Sequence, residues 1–150
     1  MVDASDIMKD TSCTREYAQA FIDSTRARIF IEPELSKEAA IRATDEEIEH
    51  LEESIDLADG SLFHNTIASI VHNPFIDEIF EKMTELETDK TLVNLIPPIQ
   101  QAIVSEKLHQ QHQEIFETIH DKRADYAYFY AKKHREYVYE TYLEYFRLLF

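Results

Sequence analysis

An all-α fold, an antiparallel bundle of six to seven helices, is what this 150-residue chain predicts, on three grounds. It contains one glycine and four prolines, far fewer breakers than the turns of a sandwich or barrel require. Its apolar residues recur three and four apart, the helical period, over most of its length. The segments between these stretches are short, which sets successive helices antiparallel. Hydrophobic residues make up 44%, enough for one domain with its own core at this length.

Residues 1–13 are a polar N-terminal segment, and residues 14–150 form the domain. The first helix runs from Thr14 to Ile31, with Tyr17, Phe21 and Ile31 at helical spacing and Arg28 among them. Pro33 suits the first turn of a new segment, a short second helix with Leu35, Ala39, Ala40 and Ile41. Thr44-Asp45-Glu46-Glu47 is a capping box and opens a third helix to about Leu57. Asp59-Gly60-Ser61 interrupts the chain, with the lone glycine as the stop. A fourth helix covers Ser61 to Val71. Asn73-Pro74 starts a fifth, with Phe75, Ile76, Ile79, Phe80 and Met83 on its buried side. Pro97-Pro98 precedes a long helix over 99–120, Asp121-Lys122-Arg123 is a turn, and the last helix runs from Ala124 to Leu148.

Composition removes several classes of function. Fifteen basic residues stand against 30 acidic ones, a formal charge of −15. Such a chain repels phosphate backbones and is a poor nucleic-acid binder by itself. The single cysteine, Cys13, excludes an internal disulfide and fits a reducing compartment. No apolar run approaches the ~18 residues of a membrane span, and the N-terminus lacks the basic-then-apolar order of a signal peptide. A cytoplasmic protein is expected.

Three of the seven histidines lie on apolar helix faces. His112 shares a face with Leu108, Ile115, Phe116 and Ile119. His134 shares one with Ala127, Tyr130, Ala131, Val138 and Thr141, and the two alanines leave room for a pocket. His64 lies with Ile67, Ala68 and Val71. His112 and His134 stand roughly 12 and 16 Å from the turn at 121–123, so they can face each other across a hairpin. Three neutral imidazoles from three helices suit a divalent transition metal. The competing reading is three satisfied core histidines. His50, His72, His109 and His120 read as exposed or helix-end residues. Arg28 interrupts an apolar stripe. It is either the partner of Glu32 one turn on or a guanidinium aimed inward to grip a carboxylate.

Arg28-Ile-Phe-Ile-Glu32-Pro33 followed by Ala39-Ala40-Ile-Arg-Ala-Thr-Asp-Glu-Glu47 resembles the opening motif of the FCD domain, the C-terminal effector domain of FadR-type GntR transcription regulators. Phe63-His64 with Ile67 and Asn73-Pro74, and His112-x-x-Ile115 with His134 twenty-two residues on, resemble its later motifs. The similarity spans about residues 14–145. It implies an FCD-like bundle in which an Asp and three His hold a divalent metal, zinc first, with nickel or manganese as alternatives. A small organic acid then completes the coordination, helped by an arginine of the first helix. By position the metal histidines are His64, His112 and His134, and the arginine is Arg28. The family's Asp precedes the Phe-His histidine by four residues, which here is Gly60. Asp59, one residue away, is the candidate fourth ligand, with water or the effector as the alternative. The segment before it is shorter than the family's usual one. Some family members bind acyl-CoA without a metal. Family regulators also carry an N-terminal winged helix-turn-helix through which DNA would be bound; the residues before 14 leave no room for one, so either an excised effector domain or a protein without a DNA reader is expected.

The resemblance therefore implies an effector-sensing domain. No general base or nucleophile is placed beside the three histidines, so an enzyme is not expected, and the aromatic-rich last helix points to a homodimer. Two further classes stay open. A ferritin-like di-metal carboxylate enzyme would use the Glu-x-x-His pairs Glu47/His50, Glu106/His109 and Glu117/His120. A metal-free structural or dimerisation module would use the aromatic-rich last helix, with Tyr126, Phe129, Tyr130, Tyr137 and Tyr142 among its rings.

Overall fold

The computed structural model describes residues 11–55, 60–88, 94 and 96–149. Among them are six α-helices and no strand: α1 (Thr11–Arg42), α2 (Asp45–Ile55), α3 (Gly60–Ile70), α4 (Pro74–Thr88), α5 (Pro98–His120) and α6 (Ala124–Leu149). The all-α bundle expected from the sequence is what the chain forms.

The largest departure is in α1. The sequence predicts a break at Pro33, yet one helix of 32 residues runs through it. Proline cannot donate to the carbonyl of Ile29 one turn back, a defect of about 3 kcal/mol. Packing outweighs it: Pro33, Leu35, Ser36, Ala39 and Ala40 are all buried on the turns that follow, and α1 lies along α6. Ile41, grouped with Leu35, Ala39 and Ala40 in the expected second helix, is exposed. The helix also starts earlier than expected, at Thr11 within the polar N-terminal segment.

The capping signals act as the sequence suggests. Thr44 Oγ1 accepts from Glu47 N at 3.1 Å, and Glu47 Oε1 accepts from Thr44 N at 3.0 Å, closing the box. Asn73 Oδ1 accepts from Phe75 N at 3.0 Å at the start of α4. Gly60, expected as a helix stop, is the first residue of α3. On α4, Phe80 is buried while Phe75 and Ile79 are exposed. The expected stripe was too wide: at 100° per residue Phe75 and Ile79 fall on the flank, away from the side that Phe80 buries.

A three-residue turn joins α5 to α6. Lys122 takes φ 60°, Arg123 N bonds Thr118 O at 2.9 Å, and Lys122 Nζ reaches Ala43 O at the end of α1. Two apolar clusters result. The larger joins Ala39, Leu51, Phe63, Ile70, Ile115, Ile119 and Ala127. The smaller joins Ala18, Phe21, Ile22 and Phe146, with Phe21 edge-on to Tyr142 and Phe146 at 5.3 and 5.6 Å. Between them along α1 stand Thr25, Arg28 and Glu32, and along α6 His134 and Arg135, all buried. A polar layer therefore lies between two apolar ones.

Candidate metal centre

The polar layer begins with the three histidines that sequence spacing singled out. His64 of α3, His112 of α5 and His134 of α6 are buried, and their ring nitrogens meet. His64 Nε2 lies 3.0 Å from His112 Nε2 and 3.2 Å from His134 Nε2. Among the described residues they are the one group of three or more potential metal ligands that converges. Apolar packing fixes the rings. Phe63 stacks on His112 at 4.7 Å, and Ile115, Ala127 and Ala131 bury the helices on either side.

The far side of two rings decides which nitrogen carries the proton. His64 Nδ1–H donates to Glu32 Oε1 at 2.6 Å, and His134 Nδ1–H donates to Gln111 Oε1 at 2.7 Å. Each neutral ring has one proton, so both Nε2 atoms present lone pairs to each other at 3.2 Å. A proton on His112 Nε2 can satisfy one of them but not both. Lone pairs aimed at one point, each backed by a hydrogen bond on the other ring nitrogen, are the donor arrangement that a cation completes. Two nitrogens each about 2.0–2.1 Å from one ion sit about 3.0–3.4 Å apart, which matches the 3.0 and 3.2 Å that His64 Nε2 keeps to its two neighbours, and all three ligand atoms lie within 4.8 Å of one another. The donor set therefore fits a divalent transition metal.

Electrostatics keep the imidazoles neutral. Burial, reinforced by His64 and Arg135, pushes His112 down to about 2. Burial and the two neighbouring rings hold His134 well below its ordinary value. Burial lowers His64 too, against the opposing pull of Glu32. In the unfolded chain all three take a proton near pH ~6.5. The unfolded state then binds more protons, so stability is full above that pH and falls below it. The slope reaches about 1.4 kcal/mol per pH unit for each imidazole. Glu32 and Glu87 are held low by the guanidinium groups despite burial. Their contribution is lost only as pH falls below the ordinary carboxylate range. Urea midpoints of chelator-treated protein should thus drop between pH 7.5 and 5.5, above the range in which Glu32 and Glu87 take up a proton. A flat midpoint over that interval would refute the neutral triad.

Behind the histidines lies a second tier that the sequence reading largely missed. Glu32 is bonded to Arg28 as well as His64 and lies 3.3 Å from Arg135 Nε. Arg28 Nη1 holds Glu87 of α4 at 2.5 Å, and its guanidinium sits over the Phe80 ring at 5.5 Å. Burial alone would lower the pKa of Arg28, but Glu32 and Glu87 hold it above its ordinary value. Both sequence alternatives for Arg28 thus meet in one residue: it pairs with Glu32 and it points inward. Arg135 could have been found by the same sign, a charge within the stripe Ala127, Ala131, Val138. Glu87 stands seven residues after the buried Phe80, on the same face. Gln111 carried no signal beyond lying next to His112.

Asp59 lies outside the described residues. Gly60, at the position the resemblance gives to an acidic ligand, is the first residue of α3, and a Cβ there would meet His112 Cε1 at 3.2 Å. The Glu-x-x-His pairs do not converge. His50, His109 and His120 are exposed, and Glu47 is engaged by Thr44 and by His72 at 2.9 Å.

Comparison with curated proteins returns no match. A family model described as the FCD domain matches residues 23–136, which include every residue of the polar layer.

Proposed function

Because the chain belongs to the FCD domain family, we propose that it senses a small carboxylate through a divalent metal held by His64, His112 and His134. The family is the effector-binding part of GntR-type regulators, which gives the regulatory role. The observation that carries the metal is the facing of Nε2 lone pairs at 3.2 Å with both outer nitrogens already bonded. Zinc is the first candidate, with nickel and manganese next, since imidazole accepts all three. Asp59 or an oxygen of the ligand completes the ligand set. Bound there, the ion supplies a Lewis-acidic point for an oxygen donor. Arg28 supplies the charge that pairs with the ligand's carboxylate.

Sensing is favoured over catalysis by the state of Glu32. This carboxylate, bonded to a triad ring, is fixed by Arg28 and His64 and held low in pKa, so it is poorly suited to take a proton at neutral pH. Occupancy changes function only if the ligand prefers one helix arrangement to another. In an intact cytoplasmic regulator that preference would pass through a homodimer to winged helix-turn-helix readers. No described helix is long and apolar enough to cross a membrane.

The first test is elemental mass spectrometry of the purified protein, with about one transition metal per chain expected. Arg28→Ala should keep that metal and weaken binding of small carboxylic acids at least tenfold by calorimetry. Unchanged acid affinity would remove Arg28 from the site, and no metal under metal-replete conditions would overturn the three-histidine reading.

A further inference from the structure

Arg28 and Arg135 face the same two carboxylates, but the four groups are not equivalent. Glu32 is buried and committed to His64 and Arg28. Glu87 pairs with the two guanidinium groups from the last turn of α4, and its side chain is 18% exposed against 6% for Glu32. It is the member nearest solvent. Its grip is one-sided, with Arg28 Nη1 at 2.5 Å and Arg135 Nη2 at 3.9 Å, beyond hydrogen-bond reach. Arg135 has a side chain only 4% exposed, yet its Nε and Nη2 make no hydrogen bond. The 3.3 Å approach of Nε to Glu32 is close enough but not aligned. A buried guanidinium with two idle donors is a costly arrangement.

We propose that the space between Arg28 and Arg135 is the carboxylate subsite of the ligand, and that Glu87 is its built-in occupant, displaced when a free carboxylate enters. The exchange is electrically neutral. One carboxylate leaves and one arrives, so two guanidinium groups still face two carboxylates. A neutral amide, alcohol or sugar cannot make the exchange, because it leaves two buried cations against Glu32 alone. An entering carboxylate, free of the α4 backbone, can turn to meet the idle donors of Arg135 as Glu87 does not. Because Glu87 is on the last turn of α4, its release also couples occupancy to the end of that helix. The inference rests on the reading that a carboxylate is sensed, and it requires no metal.

Chemical rescue tests it. Glu87→Ala lacks the CH2–COO group, so acetate is the missing piece and acetamide its neutral control. Acetate should raise the melting temperature of the variant saturably, with half-saturation at least tenfold below that of the parent protein. Acetamide should not. Adding Arg135→Met should abolish the response. The proposal fails if acetate acts no better on the variant than on the parent, if acetamide matches it, or if the response survives loss of Arg135. Should Glu87→Ala not fold, Glu87→Gln keeps the volume without the charge and must still bind acetate more tightly than the parent. Metal content measured on the same samples separates the two readings. A retained metal without an acetate response overturns the subsite alone, and an acetate response in protein that takes up no metal under metal-replete conditions overturns the metal centre alone.

Discussion

Replacing His134 by alanine is expected to reduce the metal content from about one ion per chain to background. The variant loses one of three donors, and Gln111 loses the ring N–H that it accepts at 2.7 Å. Removing an outer partner alone commonly costs 10–100-fold in affinity, so loss of the donor itself should cost more. The fold has a separate basis, since Ala127, Ala131 and Val138 stay buried on the same helix. Far-ultraviolet circular dichroism should therefore remain helical. The thermal consequence is as large: a metal at a hundred times its dissociation constant adds about 2.7 kcal/mol to stability. Added metal should raise the melting temperature of the parent protein and leave that of the variant unmoved. A folded variant with normal metal content would sink the assignment of His134.

Glu32→Ala should be the most destabilising single change in the polar layer, by about 3–5 kcal/mol, because it leaves buried cations without their nearest anion. Arg28 loses a hydrogen-bonded partner and Arg135 the carboxylate 3.3 Å from its Nε. Glu87 alone then faces both guanidinium groups. His64 loses the acceptor that fixes its Nδ1 proton, so metal affinity should fall by about 10–100-fold as well. Glu32→Gln separates the two effects. Its amide oxygen can still accept from His64 Nδ1–H, so metal binding should partly survive while stability does not. Urea denaturation of both variants measures this, and a loss under about 1 kcal/mol in Glu32→Ala would contradict the charge accounting.

How much of this was legible differs from residue to residue. His64, His112 and His134 each stood among apolar neighbours at three- and four-residue spacing, and the 121–123 turn placed two of them opposite each other. Arg28 was legible as a charge inside an apolar stripe. Glu87 was not, because an acidic chain of 30 carboxylates offers no local mark for the one that meets a cation from another helix. Gln111 acquires its role only when α6 brings His134 against it. Pro33 misled for a related reason: the local rule ends a helix there, and burial along α6 overrides the rule. The apolar flank of α4 failed by angle, since Phe75 and Ile79 fit the helical period but point past the core.

The glycine that opens α3 carries an implication for sequence drift. Helix propensity alone would favour alanine over glycine at an ordinary helical position. At position 60 that preference is opposed by the His112 ring, 3.2 Å from where the extra carbon would go. The two sites are then expected to be coupled. A side chain at 60 requires the His112 ring to give by a few tenths of an ångström, and a smaller residue at 112 relieves that contact. Single-site scans of either position would misjudge the pair, whereas the double variant would depart from additivity.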